Sequence, residues 1–320
     1  MIRKILIIHT FGLGDMIMFT PTFKQLKSTF PNHKFDFLIL QKISQEPVKS
    51  CENIANVYFF EKTISRNYSL IKKLRECKYD YILHTSGTSV LKLSIIMLLL
   101  NAKHKIGEFT KVKIPWYSKQ IKRDDNIHRV ESNVKLVNLI SSLEVMLAKP
   151  FYKINDVNID FADGFLKPYK NKKFIGIHPG CNEKFVHKRW KFEKYRDLIE
   201  KLNSKYIDVK IFIFIGPDER DVGKQFKDAF PEIVIIDNTL DNTAAMISKM
   251  DLMITNDSGL GHIASCYDVK ILTIFSKNTH ANPSKIYPYS DKSYTIDFKK
   301  NTTNDEVNVV INKINEILEN

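Results

Sequence analysis

Short apolar runs alternate with amphipathic segments along the whole chain. The apolar residues in these runs are mostly continuous and do not alternate with polar ones, which is typical of parallel strands that helices cover on both faces of a sheet. In the first half the predicted strands are Lys4–Ile8, Phe35–Leu40, Val57–Phe60, Tyr81–His84 and Lys105–Gly107. In the second half they are Phe174–His178, Lys210–Ile215, Ile233–Ile236, Leu252–Thr255 and Lys270–Phe275.

The segments between these strands carry apolar residues at helical spacing. The predicted helices span about 16–29, 66–77, 88–101, 129–142, 192–204, 219–229, 241–249, 259–266 and 304–318. A polar, proline-containing stretch from Lys149 to Asn171 separates the two halves. The sequence therefore predicts two Rossmann-like, doubly wound α/β domains, residues 1–160 and 161–320, that face a central cleft. The last helix is able to pack back on the first domain.

Composition places the chain among ordinary soluble proteins, with 320 residues, 43% hydrophobic and 27% charged. The apolar stretch in MIRKILIIHT is too short for a signal sequence, and the most apolar segment, Ser94–Leu100, is too short to span a membrane. The four cysteines lie far apart and indicate neither a disulfide framework nor a metal site. We therefore expect a cytoplasmic protein without a bound metal.

The net charge of +13 is concentrated in the first half of the chain. Residues 1–170 contain 27 Lys and Arg against 15 Asp and Glu, and the remainder contain 22 against 21, so the two balances are +12 and +1. One interpretation is a lysine-rich solubilising surface. The other is a half that binds an anionic partner, such as a membrane surface or a phosphorylated lipid. The predominance of Lys over Arg, without a recognisable nucleic-acid module, argues against nucleic acid.

The segment FGLGDMIM, residues 11–18, follows the first predicted strand and opens a helix. Gly12 and Gly14 permit a tight turn with exposed backbone N–H groups, which together with the helix dipole favour an anion. Asp15 would repel a phosphate there, so it either caps the helix or meets a group that gives up a proton. A dinucleotide site would need a third glycine and an acidic residue in place of Leu40-Gln41, which argues against hydride transfer.

Two further motifs lie at strand ends in the second half. In IGIHPGCNEKFVHKRW, residues 175–190, a strand ends at His178 and Gly180 follows, while the loop carries Lys188 among several cations. Such cations can neutralise a pyrophosphate leaving group. Taken in isolation, however, the segment is better explained as a solvated basic loop with Trp190 packed on the next helix. In FIGPDERD, residues 214–221, Glu219 suits a helix start, and a carboxylate here can also accept hydrogen bonds from the two hydroxyls of a ribose.

The strongest motif is ITNDSGLGHIASCYD, residues 254–268. Asp257, Ser258 and Gly259 end a strand and open a helix, and His262 lies within its first turns. Backbone N–H groups from Ser258 to Gly261 would point at a diphosphate. A capping role accounts for either Asp257 or His262, but not for the pair.

In this order GLGDMIMFTPTFKQLKSTFPN, HPG…KRW, GPDE and NDSGLGHIA resemble glycosyltransferase family 9, which includes the ADP-heptose lipopolysaccharide heptosyltransferases. The resemblance runs from about residue 2 to residue 318. It implies a GT-B fold whose first domain binds the acceptor and whose second binds the nucleotide sugar. It also implies transfer with inversion at the anomeric carbon, without metal or cofactor, and ADP-heptose as the common donor.

Carried over position by position, the resemblance implies that Asp15 is the general base for the acceptor hydroxyl and that Lys188 neutralises the donor phosphates. Glu219 would bind the ribose, and Asp257 would contact the donor sugar. The remaining implied residues are His178, Gly180, Ser258, Gly259 and His262 on the donor side, and Gly12, Gly14, His128 and Glu131 on the acceptor side. Helix capping explains His128 and Glu131 equally well.

The donor sugar stays open, because Lys191 and Leu260 stand where the family commonly has proline. A nucleotide-sugar epimerase of GT-B type is a second hypothesis, and a degenerate nucleotide-sugar-binding protein is a third, against which the presence of Asp15, Lys188 and Asp257 argues. The main hypothesis implies three partners. They are a nucleotide sugar, a phosphorylated lipid-linked core oligosaccharide and, peripherally, the anionic inner face of the inner membrane.

Overall fold

In a computed structural model of the protein, residues 3–61, 63, 65–87, 89–140, 147–181, 183–301 and 303–319 are described. The chain divides into two compact units, Met1–Phe151 and Tyr152–Asn320. The division therefore falls at 151/152, within the polar stretch that separates the halves but before the expected boundary at 160/161.

The first unit contains a parallel six-stranded sheet in the order β3-β2-β1-β4-β5-β6. Its strands are β1 Arg3–His9, β2 His33–Ile39, β3 Ile54–Phe59, β4 Tyr79–His84, β5 Ala102–Phe109 and β6 Lys119–Lys122. Its helices are α1 Leu13–Thr29, α2 Tyr68–Glu76, α3 Val90–Leu99 and α4 Arg129–Asn138. Each strand and helix predicted for this half has a counterpart, but α4 ends at Asn138, and residues 88, 141 and 142 of the predicted helices 88–101 and 129–142 lie outside the described residues. The edge strand β6 was missed because its sequence, KQIK, is mainly polar.

The second unit repeats this architecture, with the parallel order β12-β11-β10-β7-β8-β9. Its strands are β7 Lys173–His178, β8 Val209–Phe214, β9 Val234–Ile236, β10 Leu252–Asn256, β11 Lys270–Phe275 and β12 Ser293–Asp297. Its helices are α5 Asp156–Leu166, α6 Phe192–Lys205, α7 Arg220–Ala229, α8 Leu240–Ile247, α9 Gly259–Ala264, α10 Pro283–Ile286 and α11 Glu306–Glu319. The sequence did not predict α5, α10 or the edge strand β12.

Helix α5 lies in the stretch that was interpreted as a linker, yet it is part of the second unit. Asn158 on α5 donates a side-chain hydrogen bond to Asn242 on α8 over 2.8 Å. Just before α5, the hydroxyl of Tyr152 donates to a carboxylate oxygen of Asp241 over 2.6 Å. These two contacts with α8 explain why the boundary falls before α5 and not after it.

The last helix, α11, packs within the second unit. Its apolar face joins the core cluster that also contains the buried residues of α6. Lys270, at the start of β11, donates to the carbonyl oxygen of Ile317 over 2.7 Å. The sequence left the packing of this last helix open, and in the structure it packs against α6.

Each sheet is covered on both faces, as the continuous apolar runs predict. In β1, Ile5 and Ile7 belong to one core cluster, and Leu6 and Ile8 belong to another, so alternate residues point into separate cores. All four side chains are fully buried. No helix in the described part of the chain is both long and apolar enough to cross a membrane.

The first core depends strongly on Phe23 of α1. Its ring is fully buried and lies edge-on to Phe35 at 5.3 Å and to Phe37 at 5.2 Å between centroids. We expect Phe23→Ala to lower the free energy of unfolding by about 3–5 kcal/mol, because it opens a cavity between α1 and β2. Denaturant titration followed by circular dichroism measures this loss.

The matched control is Phe59→Ala, which removes a half-exposed ring from an edge strand of the same sheet. We expect it to cost about 1 kcal/mol or less. Equal losses for the two variants would contradict the assignment of Phe23 to the core.

Candidate active site

All strands within each sheet are parallel, so their carboxyl ends lie along one edge. In the first unit this edge gathers the loops that follow β1, β4 and β5. In the second unit it gathers the loops that follow β7, β8 and β10, which are the three motif segments. Ligands of open α/β sheets bind outside this edge, so it is the place to look for chemistry.

In the first unit Asp15 lies in the first turn of α1. Gly12 is the N-cap residue, with extended backbone angles, and Asp15 is the third helical residue. Asp15 is therefore not the N-cap, and the capping alternative for it is wrong in that form. Its negative charge still interacts favourably with the amino end of the helix.

The loop before Asp15 is held by His9, which is fully buried. Its Nδ1 lies 2.9 Å from the hydroxyl of Thr85, and its Nε2 lies 3.3 Å from the carbonyl oxygen of Gly12. Burial lowers the pKa of His9 to about 4, against smaller contributions from the Gly12 and Phe11 backbone that raise it. The ring is therefore neutral near pH 7, and it donates from Nε2 to Gly12 and accepts from Thr85.

A buried carboxylate, Glu108, organises the neighbouring loops of the first unit. It accepts hydrogen bonds from Arg123 Nε over 2.8 Å, from the Gly87 N–H over 3.3 Å and from the hydroxyl of Ser86. Arg129 donates to the carbonyl oxygen of Ser86 over 2.9 Å. This network was missed from the sequence, because its members come from three separate loops without a motif.

Arg129 also brings positive charge to the loop that carries Asp15. The centre of its guanidinium lies 5.8 Å from the centroid of the Phe11 ring, within the range of a cation–π contact. The sequence pointed to the neighbouring His128 and Glu131 but not to Arg129. The structure therefore adds a cation beside the GLGD loop.

His128 itself is the N-cap residue of α4. It is buried, and its Nδ1 accepts the backbone N–H of Val130 over 3.2 Å. Glu131 adds a carboxylate to the first turn of the helix. This geometry supports the capping alternative for both residues. Their acceptor-side role stays a prediction.

In the second unit, the side-chain amide of Asn256 connects the end of β10 to two parts of the loop after β7. Asn256 is fully buried at the end of β10. Its Nδ2 donates to the carbonyl oxygen of Pro179 over 2.6 Å and points at that of Gly180 over 3.5 Å. Its Oδ1 accepts the backbone N–H of Trp190 over 3.0 Å. The HPG, KRW and NDSG segments are thus fixed against one another by one side chain.

Lys188 and Asp257 meet at this edge. Lys188 Nζ donates to Asp257 Oδ2 over 3.0 Å, and the two side chains are only 19% and 13% exposed. The ammonium group also lies 4.6 Å from the centroid of the Phe185 ring. Motifs about 70 positions apart therefore supply a half-buried ion pair, as expected if both belong to one site.

Glu219 is buried and accepts two hydrogen bonds within its own unit. One comes from the Gly216 N–H over 2.8 Å, and the other comes from Arg189 over 3.0 Å. Gly180 packs directly on this carboxylate, since a Cβ at Gly180 would lie 2.3 Å from Glu219 Cδ. Each carboxylate oxygen can accept a further bond, so the contacts are compatible with a ribose-binding role.

His178 ends β7 beside this carboxylate. Its Nδ1 donates to the carbonyl oxygen of Phe214 over 2.8 Å, which fixes the ring against β8. Burial, with a smaller contribution from Arg189, lowers the pKa of His178, and the Glu219 carboxylate opposes that effect. The ring is therefore neutral near pH 7.

The NDSG segment ends in α9. Ser258 is the N-cap residue, with its hydroxyl 2.9 Å from that of Thr255, and Gly259 is the first helical residue. His262 is buried, and burial lowers its pKa to about 4 despite the opposing Asp257 charge. Its Nδ1 has no hydrogen-bond partner among the described residues. The imidazole is therefore neutral near pH 7, and this nitrogen is buried.

A second buried carboxylate, Glu306, fixes the KRW loop to α11. It accepts the indole N–H of Trp190 over 2.7 Å and also contacts Lys194 and Lys277. Burial alone would raise the pKa of Glu306, but these three donors together lower it. Among the described residues, no group of three or more His, Cys, Asp or Glu side chains is placed to hold a metal ion.

Comparison with known proteins identifies the family. The family model described as glycosyltransferase family 9 (heptosyltransferase) matches residues 67–313. Lipopolysaccharide heptosyltransferase 3 of Escherichia coli is 24% identical over 291 residues, which cover 83% of this chain and 82% of that protein.

Solved structures agree on the fold. A glycosyl transferase of family 9 from Veillonella parvula superposes with a TM-score of 0.75 at 18% identity, covering 95% of this chain and 88% of that one. The E. coli heptosyltransferase WaaC with ADP gives 0.73 at 17% identity, covering 98% and 99%. The protein therefore belongs to glycosyltransferase family 9, and it is a glycosyltransferase of GT-B fold whose relatives are lipopolysaccharide heptosyltransferases.

Proposed function

We propose that the protein transfers heptose from ADP-heptose to a lipopolysaccharide or lipooligosaccharide core acceptor, with inversion and without a metal ion. The observation that carries this proposal is the Lys188–Asp257 ion pair, held among the HPG, KRW and NDSG loops by Asn256. The names of its relatives support the sugar and the acceptor, and the ADP in the WaaC structure supports the nucleotide.

The chemistry is a single in-line displacement. The acceptor hydroxyl oxygen attacks the anomeric carbon, the bond from that carbon to the diphosphate oxygen breaks, and the hydroxyl proton passes to a base. Asp15 is that base in this proposal, because it is a carboxylate at the carboxyl edge of the acceptor-binding unit. Inversion follows from one attack on the face opposite to the leaving group.

The second unit stabilises the charge that develops on the leaving diphosphate. Lys188 supplies a full positive charge, and the backbone N–H groups at Ser258 and Gly259 supply partial ones. Binding of the donor phosphates would draw Lys188 Nζ away from Asp257, which frees Asp257 for the hydroxyls of the sugar. His262 belongs to the phosphate end of the donor pocket in this proposal.

The acceptor in this proposal is phosphorylated and linked to lipid, so the protein works in the cytoplasm against the inner face of the inner membrane. The positive balance of residues 1–170 favours such an acceptor, because it attracts phosphate groups. Arg129 beside the GLGD loop is the one cation of the first unit that we place at the acceptor.

A panel of nucleotide sugars tests the donor. The protein is incubated with ADP-heptose and with nucleotide hexoses, each with and without a truncated core acceptor, and products are weighed by mass spectrometry. We expect the acceptor to gain the mass of one heptose with ADP-heptose only. Gain of a hexose would overturn the donor, and a new sugar isomer formed without acceptor would favour the epimerase.

Replacing the base tests Asp15. We expect Asp15→Asn to reduce kcat by about 10²–10⁴-fold, because the amide cannot accept the hydroxyl proton, while the Kd of ADP stays the same. Asp221→Asn is the matched control, since Asp221 is an exposed carboxylate in the first turn of another helix. Loss of ADP binding in Asp15→Asn, or full activity, would refute the assignment.

Removing the cation tests Lys188. We expect Lys188→Ala to weaken ADP binding at least about tenfold, because it removes a charge-assisted hydrogen bond and leaves the Asp257 carboxylate facing the phosphates. Isothermal titration calorimetry measures this change, and Lys224→Ala, at an exposed lysine, is the control. Unchanged ADP affinity in Lys188→Ala would rule out contact with the phosphates.

A further inference from the structure

Helix α3 of the first unit presents an apolar stripe to solvent. Leu91, Ile95 and Leu98 are 70%, 39% and 50% exposed. They are spaced by four and three residues, so they lie on one face of the helix. The opposite face is accounted for, because Leu93, Ile96 and Met97 are buried in the core. We call the three exposed residues the α3 stripe.

A further exposed apolar side chain lies in the segment between β5 and β6, which packs beside α3. Trp116 donates its indole N–H to the carbonyl oxygen of Ser94 over 2.9 Å, next to the stripe in the helix. A few residues earlier in the same segment, Val112 is 76% exposed and is flanked by the exposed Lys111 and Lys113. Trp116 therefore holds this segment against α3, and four residues before Trp116 the segment carries an exposed apolar side chain between two exposed lysines.

The part of the chain that carries these residues is rich in lysine and poor in carboxylates, although Lys103 is paired with Asp80 from outside it. Residues 89–122 contain seven lysines, namely Lys92, Lys103, Lys105, Lys111, Lys113, Lys119 and Lys122. The same range contains one carboxylate, Glu108, which is buried and paired with Arg123. Any partner of this part of the chain must therefore be apolar at its centre and negative at its border.

We propose that the α3 stripe and Val112 form a docking surface for an anionic lipid bilayer. Leucine, isoleucine and valine side chains enter the boundary between headgroups and acyl chains, while Lys92, Lys111 and Lys113 contact the lipid phosphates. A ten-residue helix lies in the interface and does not span it. A protein partner would need the same unusual pairing of an apolar centre with an acidic border.

The reason for having such a docking surface rests on the proposed function, because a lipid-linked acceptor brings the reaction to a membrane. The docking surface itself takes no part in catalysis. Its test therefore uses vesicles without substrate, and its result can be interpreted whichever sugar the enzyme transfers.

Flotation with vesicles of equimolar phosphatidylcholine and phosphatidylglycerol measures the docking. We expect the full-length protein to bind these vesicles and to bind pure phosphatidylcholine weakly. Leu91→Gln/Leu98→Gln should reduce partitioning at least about tenfold, because two apolar side chains no longer leave water. Lys111→Gln/Lys113→Gln should reduce it about fivefold per lysine and flatten its dependence on salt.

Matched controls come from the second unit. Val157→Gln/Ile207→Gln replaces two other highly exposed apolar side chains, and Lys205→Gln/Lys224→Gln replaces two other exposed lysines. Neither control should change partitioning by more than about twofold. Thermal unfolding shows that each variant is folded, and transfer to a soluble, delipidated acceptor should be unchanged in all four.

Several outcomes would overturn the proposal. They are absence of binding to anionic vesicles, equal losses in the stripe variant and its control, or loss of transfer to the soluble acceptor in the stripe variant. Dimerisation that disappears in Leu91→Gln/Leu98→Gln would also overturn it, because a second copy would then be the occupant. Failure of heptose transfer with intact vesicle binding would refute the proposed function alone.

Discussion

The buried amide of Asn256 makes the contact on which the site of the second unit depends. It satisfies backbone groups 66 and 77 positions away in the chain, on the KRW and HPG loops. These loops cannot pair with neighbouring strands, so without the amide a buried N–H and a buried carbonyl would lose their partner. Asp257 directly follows Asn256, and Lys188 lies two positions before Trp190. Their mutual position is therefore a consequence of the amide.

Each unit stabilises a buried carboxylate at the carboxyl edge of its sheet in the same way. In the first, Glu108 accepts from Arg123 and from the Gly87 N–H; in the second, Glu219 accepts from Arg189 and from the Gly216 N–H. A buried carboxylate is costly unless a cation and further donors surround it. The paired guanidinium and glycine N–H meet that requirement and fix the loops that carry them.

Burial also keeps two histidines neutral, His9 in the first unit and His262 in the second. Burial lowers the pKa of His9 and His262 to about 4, so neither adds charge to its edge near pH 7. The positive charge at the two edges is carried by arginine and lysine side chains, among them Arg129 and Lys188. This separation of roles suits a reaction in which one edge accepts a proton and the other meets a diphosphate.

The sequence by itself determined the two parallel sheets, nearly all the helices and the motifs that identify the family. Central strands and covering helices need long apolar patterns, and such patterns are local. Strands β6 and β12 lie at sheet edges and need less apolar surface, so KQIK and SYTID gave no signal. Helix α5 was missed although six of its eleven residues are apolar, because it lies in the stretch where the domain boundary was expected. Its docking on α8 is a long-range contact.

Only the tertiary structure decided how the motif residues are held. The sequence placed Asn256 in a motif but could not show that its amide joins the end of β10 to both ends of the loop after β7, and it assigned no role to Arg129, Glu108 and Glu306. Each of these side chains acts on groups that lie many positions away, so its partners are chosen by the fold. The local pattern of apolar and polar residues specifies which segments become strands and helices. The long-range contacts between the ends of those strands and helices specify the site.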